Sequence, residues 1–283
     1  MLARGLLHCL KSMGVPVSEY LILERSASAR AEQARTLGEL ACLVRWLDDF
    51  PAPGFCGAVI ANELLDAIPA ARFVVGSDSI RELRVRAGHD GLGWQDAPFS
   101  TAADERAVRS LLEGLDPLPA GYVSEFAPAR GAWLASLAER FAAGAILLLD
   151  YGYPRAEYYH PQRTRGTLTC YHRHRAHDDP FRLPGVEDVS VHVDFSSIAH
   201  AGVAAGLALE GFTTQAHFLM HTGLLDGLDD PDLPQRERMA ATHAVSRLTL
   251  PMEMGEAVKV MAFTRGEQPE LPGFGGRDMR HRL

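Results

Sequence analysis

Cysteine is scarce and scattered. Cys9, Cys42, Cys56 and Cys170 are the four thiols of a 283-residue chain, and no two of them form a C-x-x-C pair. So sparse a set excludes a secreted disulfide framework and reads as buried, reduced thiols in a cytoplasmic protein. Long apolar runs are missing as well. None approaches the roughly 20 residues of a membrane span, and the N-terminus has no basic region followed by an apolar core and a cleavage site. Positive charge is not in excess: Lys plus Arg total 28 against 36 Asp plus Glu, a net charge of -8. No overall field therefore draws the chain to nucleic acid or anionic lipid, and a protein, peptide or small molecule is the expected partner. The chain also lacks G-x-S-x-G, a P-loop lysine motif and H-E-x-x-H, which removes support for a serine hydrolase, a nucleotide triphosphatase or a metalloprotease.

What is present is an alternation of apolar runs and helical patterns in a chain that is 47% hydrophobic, enough to bury one large α/β core. Leu2 to Met13 has helical spacing and stops at Gly14. Tyr20-Leu21-Ile22-Leu23 reads as a strand ending on Glu24, Ser28 to Leu43 as a helix, and Val44 to Leu47 as a short strand ending at Asp48-Asp49. Two apolar runs then stop on polar residues: Gly57 to Ala61 before Asn62-Glu63, and Ala145 to Leu149 before Asp150-Tyr151-Gly152. This order implies parallel βαβ units. Arg72–Val75 and Arg81–Val85 flank Gly76-Ser77-Asp78-Ser79 as a hairpin. Residues 88 to 119 read as loop with a helix near Ala103–Leu115, and Trp133 to Ala143 reads as a stronger helix. Further helices are expected over Phe195–Ala205 and Arg236–Arg247, with a last strand over Ala257–Phe263. The expected organisation is one domain over residues 1–266, with insertions at 72–119 and 154–190, and a disordered tail at 267–283.

In an open α/β sheet, ligand chemistry gathers at the carboxyl ends of the strands. Glu24 there suits ribose hydroxyls, because two carboxylate oxygens match a vicinal diol, although a solvated loop acid explains it equally well. Asp48 can accept from an amino group or simply serve a polar turn. Asn62 and Glu63 carry the stronger signal: an amide and a carboxylate side by side can grip an amino-bearing acceptor and take up its proton, and a carboxylate is the natural partner of a guanidinium. The competing reading makes them the cap and first turn of a helix. Asp66, one turn on, either assists or supports. The insertion holds His160, His172, His174, His177 and Asp178; His172-Arg173-His174-Arg175-Ala176-His177 approximates an H-x-H-x-D-H zinc loop but has Ala176 where that loop needs Asp. No metal is expected from it. With Arg163, Arg165, Arg173 and Arg175 it instead suits an anion, a substrate or solvent, and Tyr151, Tyr153, Tyr158 and Tyr159 suit a pocket or the core.

Several longer stretches carry a resemblance. Ala61-Asn62-Glu63-Leu64-Leu65-Asp66-Ala67-Ile68-Pro69, Asp150-Tyr151-Gly152-Tyr153-Pro154, Glu157-Tyr158-Tyr159-His160-Pro161-Gln162-Arg163, Gly166-Thr167-Leu168, His192-Val193-Asp194-Phe195 and Glu253 to Val260 resemble the MidA family, colinearly from about Leu6 to Gly266. That family includes the mitochondrial complex I assembly factor, a protein arginine methyltransferase. The resemblance implies a Rossmann-like class I methyltransferase fold, a seven-stranded and mostly parallel sheet with helices on both faces, and S-adenosyl-L-methionine as cofactor. It places Glu24, Asp48 and Asn62 on the cofactor, makes Glu63, Asn62 and Asp66 catalytic, and puts Asp150, Tyr151, His160 and Arg163 toward a protein substrate, by analogy a respiratory-complex subunit. The family's first central strand and its glycine-rich loop have no counterpart here, because both would precede the helix that opens the chain. The expectations are then either an upstream start or a truncated relative with poor cofactor affinity, and the alternative function is a catalytically silent binding or assembly protein of the same fold.

Overall fold

Helix α1 (Leu2–Ser12) ends at Gly14, whose φ of +68° suits a residue without a Cβ. Strand β1 (Tyr20–Leu23) leads to α2 (Ala27–Leu37), capped by Ser26, whose hydroxyl accepts the Ala29 N–H at 3.3 Å. Gly38, at φ +58°, breaks the single helix expected over Ser28–Leu43; a 3₁₀ segment, Gly38–Leu43, follows. Strand β2 (Val44–Leu47) then pairs in parallel with β1, Tyr20 opposite Val44 and Leu23 opposite Leu47. These elements make up one compact unit, Met1–Phe55; the second runs from Cys56 to Leu283. The computed structural model describes residues 1–89, 91–173, 175–228, 234–266 and 270–283.

The second unit holds β3 (Phe55–Asn62), which enters it at Cys56, and an antiparallel sheet of β4 (Ala71–Val75), β5 (Ile80–Gly88), β6 (Gly91–Ala97) and β7 (Val123–Phe126) in the order β6-β5-β4-β7. The hairpin expected around Gly76–Ser79 is there, with Val75 opposite Ile80. Its continuation into β6 was read as loop, because Gly91-Leu92-Gly93 dilutes the alternation that marks a strand. Helix α3 (Ala102–Leu112) closes this part over Phe73, Val108, Tyr122, Phe126, Tyr158 and Tyr159.

The central sheet is built around β8 (Phe141–Tyr153), which follows α4 (Pro128–Arg140) without a loop, so the helix expected to reach Ala143 stops at Arg140. After α5 (Arg155–Tyr158), a small antiparallel sheet of β9 (Thr169–His172), β10 (Arg175–His177) and β11 (Asp188–Ser190) occupies what was expected to be irregular. Then come β12 (Val193–Asp194), α6 (Phe195–Ala204), β13 (Ala208–Thr214), α7 (Gln215–His221), α8 (Gln235–Thr249) and β14 (Val258–Arg265). The order is β12-β8-β14-β13, with β3 also on β8. Gly57 lies against Gly144 and Glu63 against Leu149, so β3 and β8 run the same way. A Cβ on Gly144 would lie 2.0 Å from the Gly57 carbonyl oxygen, so glycine is required there.

The expected parallel-rich α/β character is present in the pairs β1–β2, β3–β8 and β12–β8, while the sheets as a whole are mixed. Strand β12 runs parallel to β8, but β14 is antiparallel to both β8 and β13, and the strands of the described residues are divided among four sheets. Side-chain alternation along β14 serves two faces. Gly202 of α6 sits on Phe263, while Val260 and Ala262 pack with Phe218 of α7 and Phe274. Phe274 and Met279 are buried, and the Met279 N–H donates to the Phe212 carbonyl at 2.6 Å. Residues 270–283 are therefore packed, not the disordered tail expected; residues 267–269 of that expectation lie outside the described residues. The thiol expectation is corrected too, since only Cys170 is buried and Cys9, Cys42 and Cys56 are exposed.

If Phe274 closes this face, Phe274→Ala should lower unfolding stability by about 3–5 kcal/mol. Urea denaturation of the full chain measures this, and a change within experimental error would mean the segment contributes nothing.

Candidate active site

Strand β3 delivers Asn62 and Glu63 to the carboxyl edge of the central sheet, both exposed. Glu63 adopts a left-handed φ of +48° while its N–H donates to the Leu149 carbonyl at 2.9 Å. That backbone costs a non-glycine residue about 1–2 kcal/mol and persists only where neighbours impose it. The neighbour is Asp150. Its Oδ2 accepts the N–H groups of Leu64, Leu65 and Asp66 at 3.1, 2.8 and 3.3 Å, and its Oδ1 accepts that of Tyr151 at 2.9 Å. Three consecutive amides converging on one oxygen form an anion nest, here filled by the protein itself. Leu65, 1% exposed, plugs the turn below.

Burial and then the nearby Asp66 carboxylate push the Asp150 carboxyl up from 3.8 to about 7, against the pull of its amide donors. Asp66 is raised chiefly by its own burial, with Arg130 opposing. Asp150 was expected to face substrate. Its carboxylate is instead 1% exposed and committed to backbone amides, so it builds the loop that presents Asn62 and Glu63.

The opposite wall is Val191-His192. The Val191 N–H donates to the Asp66 carbonyl at 3.3 Å, and Arg130 donates to the Val191 and His192 carbonyls, each at 2.7 Å. The His192 ring stacks on Tyr151 at 6.1 Å and tilts against Tyr153 at 5.4 Å. Burial, then Arg163, Lys259 and Arg130, push its imidazole down to about 4, so it is neutral at physiological pH. Arg163 lies 4.2 Å above the Tyr153 ring, and the Lys259 ammonium is 5.3 Å from the same ring. Lys259 donates to the Glu256 carbonyl and is pushed down to about 8 by burial.

Glu125, fully buried, anchors the loop that leads to this wall. One oxygen takes the Arg72 Nε at 3.1 Å; the other takes the Thr167 N–H at 2.8 Å and its hydroxyl at 3.1 Å. Thr167 Oγ1 in turn accepts the His192 N–H at 3.1 Å. Gly166, at φ +74°, lets this loop close, since a Cβ would lie 2.3 Å from Glu125. Glu125, Arg130, Thr167 and Lys259 were not read as site residues. An acid inside Val123-Ser124-Glu125-Phe126 and a lysine inside an unbroken apolar strand were the available signals.

The structure brings Asn62, Glu63, Asp66, Asp150 and Tyr151 together, with Arg163 over Tyr153. His160 is exposed and accepts the Gln162 N–H within its own turn. Glu24 and Asp48 belong to the first unit. Glu24 accepts the Ser26 N–H at 2.8 Å on one oxygen and the Gln33 amide at 3.2 Å on the other, and Asp48 pairs with Arg30 at 2.6 Å. His174 lies outside the described residues, and Asp178 pairs with Arg165. Two concavities of about 260 and 470 Å³ are lined by other residues, neither by Asn62 nor by Glu63. The geometry at the strand end marks the site.

Residues 2–213 match a family described as "Putative S-adenosyl-L-methionine-dependent methyltransferase". No curated protein matches. Two crystal structures from Burkholderia thailandensis, each 41% identical, resemble the whole chain. One is of an uncharacterized protein (TM-score 0.93, 75% of that chain covered). The other, described as a "likely methyl transferase", is bound to S-adenosyl-homocysteine (TM-score 0.92, 73% covered).

The folded Asp150 carboxyl holds its proton to higher pH than the unfolded one. Its effect on stability is therefore most favourable below pH 4 and declines as pH rises through about 7. Asp150→Asn should flatten that decline, measured as the difference between wild-type and variant unfolding free energies from pH 4.5 to 8. A constant difference would mean Asp150 does not titrate in this range.

Proposed function

Since the chain belongs to this S-adenosyl-L-methionine-dependent methyltransferase family, we propose that it methylates a nitrogen of a protein, with an arginine side chain as the acceptor, as the MidA resemblance suggests. The observation that carries this reading is the strained strand end: an exposed Asn62-Glu63 pair, Glu63 at φ +48°, over a turn locked by Asp150. Strain held by several neighbours at an exposed acid is the kind of feature that binding or chemistry retains.

The cofactor would supply the electrophilic methyl carbon. The residues of the chain would bind, orient and remove a proton. Glu24 has a spare acceptor site on each oxygen, since each takes one donor, and that suits two ribose hydroxyls. Asp48 keeps one oxygen beyond its Arg30 contact for an amino group. The MidA resemblance also suggests Asn62 as a cofactor contact. Glu63 would accept from the guanidinium, draw its charge away from the attacking nitrogen and receive the proton that nitrogen loses. Asp66, half-buried beside Asp150, adds negative potential on the acceptor's side. Tyr151, stacked on the neutral His192, and Arg163 would border the acceptor, with Asp150 acting only by positioning.

Two measurements test this. Calorimetry with S-adenosyl-L-methionine should show micromolar binding, reduced about tenfold in Glu24→Ala. Transfer of labelled methyl to arginine-containing peptides should fall about 10²–10⁴-fold in Glu63→Gln, while Glu63→Gly, relieved of its strain, should be equally inactive but no less stable than wild type. Cofactor binding with unchanged turnover in Glu63→Gln would remove Glu63 from the mechanism, and binding without transfer to any arginine peptide would remove arginine as the acceptor.

A further inference from the structure

The insertion carries a second cluster that methyl transfer does not use. Cys170 stands at the middle of the three-stranded sheet, on β9. His177 of β10 is its direct register partner, and Glu187 directly precedes β11, whose Val189 lies opposite Cys170 from the other side. The thiol, an imidazole nitrogen and a carboxylate oxygen all lie within 4.8 Å of one another. His177 Nε2 and Glu187 Oε1 are 3.0 Å apart, close to the ligand-to-ligand edge of a tetrahedral site with about 2.0–2.3 Å bonds.

We propose that Cys170, His177 and Glu187 bind a zinc-type divalent cation, two strands and the residue that leads into the third supplying sulfur, nitrogen and oxygen to one ion that staples the insertion. The decisive detail is Glu187. Its side chain is 2% exposed, and its second oxygen, Oε2, is buried with no hydrogen-bond partner among the described residues. A buried carboxylate oxygen left unpaired is costly, and a cation removes that cost. Charge balances as well: a thiolate, a carboxylate and a neutral imidazole around a divalent ion sum to zero, which suits a buried site.

The surrounding field agrees. Burial, then Glu187, Asp179 and Asp178, push the Cys170 thiol up, so a bare thiolate is disfavoured where a cation would be welcome. Ligation replaces the proton that the thiol loses and the proton that Nε2 shares with Glu187, moving the ring hydrogen to Nδ1. The contact that yields is the long one, the Asp179 N–H to Nδ1 at 3.4 Å. The fourth position remains for water. This arrangement differs from the histidine-rich loop weighed in the sequence, since His177 joins residues from the flanking strands and not its neighbours His172 or Asp178.

The staple has a mechanical reading that holds whatever the site catalyses. Strand β9 leaves from Thr167, and β11 leads into Val191-His192. Fixing Cys170 to Glu187 therefore fixes both ends of the excursion that forms one wall of the strand-end site.

The test uses the full chain with Cys9, Cys42 and Cys56 changed to serine, so that exposed thiols hold no metal. After removal of metal and reloading with zinc chloride, about one zinc per chain should survive desalting and the melting temperature should rise by several degrees. Cobalt substitution should produce a thiolate-to-cobalt charge-transfer band. Glu187→Gln, nearly isosteric, should retain the fold and lose at least tenfold in zinc affinity, and Cys170→Ser should lose the cobalt band. Absence of retained zinc, a cobalt spectrum without the thiolate band, or equal zinc affinity in Glu187→Gln would each overturn the proposal, and the cobalt spectrum decides even if a variant fails to fold.

Discussion

A single desolvated carboxylate organises the carboxyl edge of the central sheet. Taking Asp150 out of water is unfavourable by several kcal/mol, and four backbone amides offset it by donating to its two oxygens. Three of those amides belong to the turn after β3, and so the compensation has a geometric by-product. The turn cannot relax without leaving a buried carboxyl group without its donors, and Glu63 is held in a left-handed backbone it would otherwise leave. Strand β8 thus imposes the conformation of its neighbour's end, and the exposed acid there is presented from a fixed base.

The same device recurs around the site. Arg130 and Lys259, at 4% and 5% exposure, direct their donors at carbonyl oxygens, and Glu125, fully buried, takes an N–H of Thr167 besides Arg72. Charges satisfied by backbone restrain chain segments, whereas charges satisfied by each other restrain only side chains. Arg130 holds Val191-His192, Glu125 holds the Gly166-Thr167 turn, and the Thr167 hydroxyl links the two. This linkage keeps His192 flat against Tyr151, and burial, then the surrounding cations, keep its ring uncharged.

The parts of this arrangement that were legible in the sequence are those with a local signature. An apolar run that stops on Asn62-Glu63 declares a strand and its end, although β3 proves largely exposed, with only Ala61 buried, whereas Val258 to Phe263 declares a buried one. Strands β7 and β13 were missed because Ser124-Glu125 and Glu210-Gly211 interrupt the apolar pattern. In the fold Glu125 is neutralised by Arg72, and Gly211 leaves space for Phe274, both by contacts from distant segments. The C-terminal residues were misread for a related reason. Their composition is that of a flexible tail, and only the gap above Val260 and Ala262 gives Phe274 somewhere to go. Asp150 was found but its task was not, because nothing local distinguishes a carboxylate that touches ligand from one that touches amides.

Lys259 has a consequence of another kind. The chain has two lysines against twenty-six arginines, and Lys259 is buried with its ammonium on the Glu256 carbonyl, so the second unit presents no accessible primary amine. Of the lysine side chains in these 283 residues, acylating metabolites, amine-reactive labels and aldehyde crosslinkers meet only Lys11, in the first unit. The second unit is therefore inert to amine chemistry at its own side chains.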